Sequence, residues 1–477
     1  MTQGAGMNFR RLAGNAVVAF AAQGVSMVVS VVMSLLVPKV LGVETYGYWQ
    51  LFVFYVGYSG FFHLGLNDGV YLVEGGKTRD EIDKRSINSQ FLIGSAMQLI
   101  VGLCMCIAAL LWAPEPQRVF VMIAFAGYMV VFNTSAFLGY AFQAMNETKL
   151  FSFMTMLDRV VFLAPLLVFV VLRVGSFEPY VFAYLAARVC ALAFCCWHAR
   201  DILSAGLLSP SEAVREALGS IKVGFGLMLA NIASMLILGV ARALVDYEWG
   251  IEVFGKVSFA LSIVNFFLTF VSQASMVLFP ALRQGTEAER RSFYRGIRDM
   301  MEVAFPGIYL LYFPAAWLLT LWLPQYEESM HYFAILLPMC AFDTKMDVCC
   351  TTYLKVLREE RTLLRVNVIA VVASTVFSLV GIYALGSLDA VLLGVAACIV
   401  GRSLWSERHL DGRMCVSSTL VPLEEVALTV AFVALTLLAT PPMAICAYAA
   451  LYLLYLFLNR GVTRGLIAST KRVLGIG

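Results

Sequence analysis

The sequence predicts an all-α polytopic membrane protein, and three observations carry the prediction. Hydrophobic residues make up 61% of the 477 and charged residues 14%, against about 45–50% and about 25% in a soluble domain. Mean hydropathy is +0.82. Fourteen apolar runs follow one another along the chain, each close to the roughly 20 residues that cross a bilayer as a helix. This composition excludes a water-soluble globular enzyme, a disordered chain and a nucleic-acid binder. The net charge, from 34 Lys and Arg against 31 Asp and Glu, is +3, too small to draw in a polyanion.

The runs fall at 12–37, 48–73, 88–112, 118–142, 156–173, 179–198, 223–247, 254–280, 301–323, 332–356, 363–386, 388–406, 423–440 and 442–458. The first follows Arg10 and Arg11 and is longer than the roughly 7–15-residue core of a secretory signal, so it reads as a retained span. Only Thr440-Pro441-Pro442 divides the last two, which makes thirteen spans the alternative count. Charge favours fourteen. With the N-terminus inside, 27 of the 34 basic residues fall in inside segments, and four fall outside: Lys39, Arg118, Arg173 and Lys256. Three, Arg188, Arg242 and Lys345, lie deep within spans, the bases near span ends, such as Arg159 and Arg402, being counted with the adjoining loops. That asymmetry follows the positive-inside rule, places both termini in the cytoplasm and puts the basic tail from Arg460 to Arg472 on the correct side.

The longest cytoplasmic stretches, 199–222 and 281–300, are too short to bury a core of their own. The second carries Arg290, Arg291, Arg295 and Arg298 and reads as an amphipathic helix on anionic lipid or as a solvated loop helix. Ten of the 11 cysteines lie in or at the edge of spans, and Cys415 lies in a cytoplasmic loop, so no disulfide framework is expected. The adjacent pairs Cys195-Cys196 and Cys349-Cys350 lack zinc-ligand spacing, and no metal site is expected.

An internal repeat organises the chain. Gly42-Val43-Glu44-Thr45-Tyr46-Gly47 and Gly250-Ile251-Glu252-Val253-Phe254-Gly255 share G-[VI]-E-x-[YF]-G, 208 residues apart. Each lies between the first and second helix of a six-helix set. Six is even, so the sets have the same orientation, a parallel repeat about the membrane normal. The expected architecture is about 14 transmembrane helices in two parallel six-helix lobes plus two extra C-terminal helices. The N-lobe covers 1–205, a cytoplasmic linker 206–222, the C-lobe 223–408, and the last two helices with the basic tail 409–477. Gly250 to Lys256 also reads G-x-x-x-x-G-K, but Val257 follows where a P-loop needs Ser or Thr, so no nucleotide is expected.

Ionisable residues inside spans are functional candidates, because each costs about 2.5–3.5 kcal/mol at the bilayer centre. Arg188 lies near mid-membrane in the sixth span and reads as a cavity-lining cation or half of a buried pair. Arg242 and Asp246 share a face of the seventh span at i, i+4. The tenth span carries Asp343-Thr344-Lys345-Met346-Asp347, with both aspartates on one face and Lys345 on another. The carboxylates suit a coupling proton or sodium ion, and Lys345 an anionic substrate. Asp68, in Gly65-Leu66-Asn67-Asp68-Gly69, sits at a loosened helix end or gate, or is an ordinary interfacial acid. His63 reads as a packed ring rather than a proton relay, and Pro165, Pro306, Pro314 and Pro338 imply kinks.

Asn8-Phe9-Arg10-Arg11, Gly42-Val43-Glu44-Thr45-Tyr46-Gly47-Tyr48-Trp49, Gly65-Leu66-Asn67-Asp68 and Thr352-Tyr353-Leu354-Lys355-Val356-Leu357-Arg358 resemble the corresponding parts of bacterial polysaccharide flippases of the Wzx type. These belong to the multidrug/oligosaccharidyl-lipid/polysaccharide exporter superfamily, and the resemblance covers essentially the whole chain. It implies translocation of a polyprenyl-diphosphate-linked oligosaccharide from the cytoplasmic to the outer leaflet of a bacterial plasma membrane, without cofactor or catalytic residues. The implied partners are that lipid-linked substrate, membrane lipids and components of polysaccharide assembly, with the chain itself working as a monomer. In that scheme Arg188, Arg242 and Lys345 meet the diphosphate, while Asp68, Asp246, Asp343 and Asp347 serve the coupling ion or a gate. The alternatives are a cation-coupled drug or metabolite exporter, a peptidoglycan-precursor flippase, and a membrane glycan polymerase or ligase. The last is disfavoured by short external loops in which His331 is the sole histidine.

Overall fold

The computed structural model describes residues 28–284, 287–357, 359–416, 422–461 and 463. The Asn8–Arg11 opening, most of the first expected span and the basic tail beyond Thr463 lie outside them. Among the described residues the chain is helical and no strand occurs. The helices are α1 Val28–Leu41, α2 Val43–Gly57, α3 Leu66–Glu74, α4 Lys84–Trp112, α5 Pro116–Ala144, α6 Thr148–Val171, α7 Glu178–His198 and the short α8 Arg200–Leu203. They continue with α9 Pro210–Gln284, α10 Glu287–Ile308, α11 Tyr312–Trp322, α12 Glu327–Lys345, α13 Thr352–Val356, α14 Glu360–Tyr383, α15 Leu388–Met414, α16 Pro422–Leu438 and α17 Pro441–Leu458. Nine helical stretches among the described residues are long and apolar enough to cross a membrane. Other expected runs lie on interrupted helices: a 3-10 turn at Ser59–His63 separates α2 from α3, and a wide π turn at Met346–Thr351 joins α12 to α13.

The chain forms two compact units, Met1–Ile232 and Ala233–Gly477, and the division falls within α9. In the first unit α5 is central and packs against α2, α3, α4, α6 and α7. Its core includes Leu66, Val70, Phe137, Phe142, Ala191 and Cys195. In the second unit α15 packs against α12 and α14, and α16 and α17 pair with each other and lie on α10. Helix starts follow local chemistry. Asp83 accepts from the Arg85 and Ser86 amides to cap α4, and Ser387 accepts from the Ala390 amide to cap α15. Pro116 opens α5, where its missing N–H costs nothing.

The two repeat hexapeptides share an unusual backbone. Gly42 has φ 73° and ψ 175°, and Gly250 has φ 77° and ψ −176°. Only glycine reaches this region without strain. Gly42 separates α1 from α2 and Gly250 breaks α9 into two helical segments, and the aromatic four residues on, Tyr46 or Phe254, is buried in its own unit. The local structure thus repeats as the sequence does.

Glycine has a second role around Asp68. A Cβ on Gly69 would lie 1.9 Å from the Ser220 carbonyl oxygen, and one on Gly224 would lie 2.0 Å from that of Gly65. α3 and the first part of α9 therefore cross backbone against backbone. The glycines flanking Asp68 serve this contact as well as the helix break, where Leu64 and Gly65 are left-handed.

Pro306 shows how a kink is accommodated. It offers no N–H to the Glu302 carbonyl, and the helix breaks into a 3-10 turn after Ile308. Three tyrosines of α17 supply donors nearby: Tyr455 to Glu302 O (3.3 Å), Tyr452 to Val303 O (2.9 Å) and Tyr448 to Pro306 O (2.8 Å). Arg298, expected in a surface stretch, lies inside α10 and is wholly buried, because Glu407 and Asp411 of α15 join Asp299 and Glu302 of its own helix around it.

Candidate functional site

In the first unit a basic, aromatic-walled site forms around α7. Tyr184 and Arg188 lie one turn apart on this helix and share a face. Trp49 and Phe52 come from α2, Tyr128 and Phe132 from α5, and Phe162 from α6. The Tyr184 ring stands edge-on to Phe162 (centroids 4.9 Å), Phe52 (5.9 Å) and Trp49 (6.0 Å), with Tyr128 at 5.4 Å. These rings fix where the α7 face points. The Arg188 guanidinium is then held 4.5 Å above the Phe132 ring. Its ion pair is a long one, Nη1 to Asp158 Oδ2 at 3.4 Å. Arg188 is 4% exposed, and its Nε has no hydrogen-bond partner. Arg159 of α6 lies beside Tyr184.

Sequence reading found Arg188 but missed Asp158 and Arg159. It counted Arg159 with a cytoplasmic loop; the structure places it midway along α6, because this helix starts at Thr148 rather than near 156. Asp158 is the acid expected if Arg188 were half of a buried pair. Arginine presents five N–H donors and stays charged. One long carboxylate contact leaves this guanidinium with donor capacity facing an aromatic wall.

Asp68 is buried in the first turn of α3, 3.7 Å from His63 Nε2. His63 Nδ1 accepts from the Gly65 amide, so Nε2 carries the hydrogen in the neutral ring. His63 is packed and hydrogen-bonded, as the sequence reading preferred. The break before α3 frees backbone carbonyls, and polar side chains answer them. Gln98 donates to Phe62 O (2.8 Å) and Asn133 to Ser59 O (2.9 Å).

In the second unit, Arg242 donates to Ser258 Oγ (2.8 Å) and stacks 5.2 Å from the Phe254 ring, one turn beyond the Gly250 bend. Asp246 is buried one turn along the same helix. Asp343 pairs with Arg402, a buried guanidinium that also reaches Ser234 and Asn367. Arg402 too was counted with a loop by sequence and lies inside α15. Asp347 is exposed in the π turn.

Lys345 departs from expectation. It is fully buried, with Glu425 at 2.8 Å, Glu407 at 2.9 Å and Glu302 at 3.4 Å. Three carboxylates fence the ammonium, so in this conformation it has no free face for an anionic substrate. As expected, it points away from Asp343 and Asp347. The three glutamates were missed because each stands within a few residues of an expected span end. The available signal was i, i+4 spacing, Arg298 to Glu302 and Glu407 to Asp411, at helix ends that meet.

Together the long apolar helices, their breaks and the buried charges define a multi-pass membrane protein. The chain belongs to the polysaccharide biosynthesis protein family, whose model matches residues 12–286. Among solved structures it is similar to the lipid II flippase MurJ in an inward closed conformation, with a TM-score of 0.61 and 9% identity over 96% of this chain and 99% of that one. It is similar to an inward-facing MATE-family multidrug resistance transporter (TM-score 0.55, 14% identity, 84% and 100% covered). A transporter from Pyrococcus furiosus of the same MOP superfamily also matches (TM-score 0.52, 12% identity, 84% and 94% covered). At these identities the likeness is one of fold. No curated protein matches the chain.

Proposed function

We propose that the chain is a flippase that moves a polyprenyl-diphosphate-linked oligosaccharide from the cytoplasmic to the outer leaflet of a bacterial plasma membrane by alternating access. The observation that carries this reading is Arg188: a buried guanidinium with one long ion pair, set against aromatic rings. Such a group suits a diphosphate, which accepts charge-assisted hydrogen bonds from a planar fork. Aromatic walls suit sugar faces and the start of the prenyl chain. Family membership supports a polysaccharide precursor as cargo. Arg242 is the second candidate for the phosphates, and Asp68, Asp246, Asp343 and Asp347 remain candidates for gating or coupling. The scheme keeps fourteen crossings, two parallel lobes, the last two helices as an addition, and both termini in the cytoplasm. An interior-negative potential favours outward movement of anions by about 2.3 kcal/mol per charge per 100 mV, and about twice that for a doubly charged diphosphate.

A peptidoglycan-precursor flippase is the second reading, favoured by the fold likeness that extends over nearly the whole of both chains. Binding by purified protein tests the cargo class. A polyprenyl diphosphate oligosaccharide binds, its monophosphate and phosphate-free analogues bind progressively more weakly, and Arg188→Ala removes the discrimination. Equal binding of all three by the unaltered protein contradicts the reading. Preference for a muropeptide-bearing diphosphate selects the second one.

A further inference from the structure

The second unit contains a buried charge cluster that the transport site does not use. Lys345 and Arg298 are 0% exposed, Glu302 is 1%, and Glu407 and Glu425 are 2%. These five come from α10, α12, α15 and α16. Lys345 Nζ faces all three glutamates within 3.4 Å. Arg298 spends its two amino groups on Asp411 (2.6 Å), at the partly exposed rim, and on Asp299 (3.0 Å), which is itself buried. Its Nε lies 3.7 Å from Glu407 and 3.9 Å from Glu302, with no hydrogen bond. The remaining titratable neighbours are neutral in their ordinary forms: Tyr294 of α10, Cys349 and Cys350 of the π turn, Tyr353 of α13 and Tyr455 of α17.

Among the described residues, then, the three enclosed glutamates meet two cations, one of which, Arg298, also serves the buried Asp299. A net charge sealed from water costs several kcal/mol even after relaxation. Hydrogen bonding shows the same shortage. Glu302 Oε2, Glu407 Oε1 and Glu425 Oε1 are buried without a hydrogen bond, and Glu407 Oε2 has only the ammonium of Lys345 at 2.9 Å. Glu302 and Glu407 face the same two cationic atoms, Lys345 Nζ and Arg298 Nε, which makes their carboxyls neighbours. One proton between them lowers that excess and turns a repulsion into an O–H···O bond.

We infer that this cluster is a proton-binding site, with one proton held on the Glu302–Glu407 pair. Releasing it leaves an uncompensated charge where α10, α12, α15 and α16 meet, so proton release is linked to the packing of the last helices on the second unit. In the transport reading, on which this clause alone rests, the coupling ion is that proton rather than one held by Asp343 and Asp347.

The test is infrared spectroscopy of the purified full chain in lipid nanodiscs at neutral pH, exchanged between H2O and heavy water. The unaltered protein shows the carbonyl stretch of an un-ionised carboxylic acid, shifted by the exchange. Glu302→Gln, Glu407→Gln and Glu425→Gln each remove one negative charge, so each loses that band, whereas Asp343→Asn keeps it. Raising the pH of the unaltered protein bleaches the band, and the protons released over that range exceed those released by Glu302→Gln by one per chain. Absence of the band from the unaltered protein overturns the inference, as does its survival in the three glutamine variants. The readout concerns the protein alone, so it stands or falls independently of what is transported.

Discussion

Arg188 and Lys345 are both buried cations in apolar helices, with opposite surroundings. Lys345 has three carboxylates around it; Arg188 has one, at 3.4 Å. Lys345→Met is therefore expected to act on folding. It leaves three buried glutamates without their ammonium, and breaking a buried pair from one side costs about 3–5 kcal/mol. Thermal unfolding in detergent measures it as a marked drop in midpoint. Arg188→Lys is expected to act on transport. It keeps the charge but loses the fork, and a fall of about tenfold corresponds to about 1.4 kcal/mol, within the range of one charged hydrogen bond. Transport assays read the fall, with an unfolding midpoint close to that of the unaltered protein as the check on folding. Arg188 was legible in the sequence because a lone charge stands out in a long apolar run. Arg159, Arg402 and Glu407 were not, because near a span end a charge that turns inward and one that faces water look alike in one dimension.

At the scale of elements, the sequence showed the repeat and the structure explained it. The glycines of the two hexapeptides are required by a backbone conformation, so Gly42→Ala and Gly250→Ala are each expected to cost about 1–3 kcal/mol. Gly69→Ala faces a different obstacle, a carbonyl 1.9 Å from the new methyl group. Backbone on both sides leaves little room to give, so a larger loss of stability and of expression in the membrane is expected than for Gly42→Ala, where the added Cβ meets nothing within 4 Å. The break between α2 and α3 was only half legible. Glycines hinted at a loosened end, but the 3-10 turn depends on Gln98 and Asn133 of other helices, which local sequence does not report.

The turn between α13 and α14 carries a pH signal. Glu359 accepts a hydrogen bond from His409 (2.7 Å) and lies 2.8 Å from Arg413 Nε. The His409 hydrogen bond first, and the Arg413 charge with it, hold this carboxyl below its ordinary value of 4.5 despite partial burial. A depressed value in the folded state means that the stabilisation is complete above the ordinary value and is lost as pH falls through the lower, folded-state value. Unfolding midpoints followed into the acid range should fall there, and Glu359→Gln should flatten that part of the curve.

For the whole molecule, composition and hydropathy sufficed to predict an all-α membrane protein, because a bilayer leaves few other ways to satisfy a backbone. The buried charge cluster of the second unit was not foreseeable, since it is assembled from four helices whose meeting no spacing rule encodes. The central claim is that a cationic site escorts an anionic lipid-linked glycan outward under the membrane potential. The most direct test reconstitutes the purified chain in liposomes with a fluorescent polyprenyl-diphosphate oligosaccharide on the side facing the cytoplasmic ends, and follows its arrival on the opposite leaflet as a potential is imposed. The account predicts movement that accelerates when the substrate side is made negative and that Arg188→Ala abolishes. Movement indifferent to both potential and Arg188, or no movement alongside proton-driven export of a small organic cation, would contradict it.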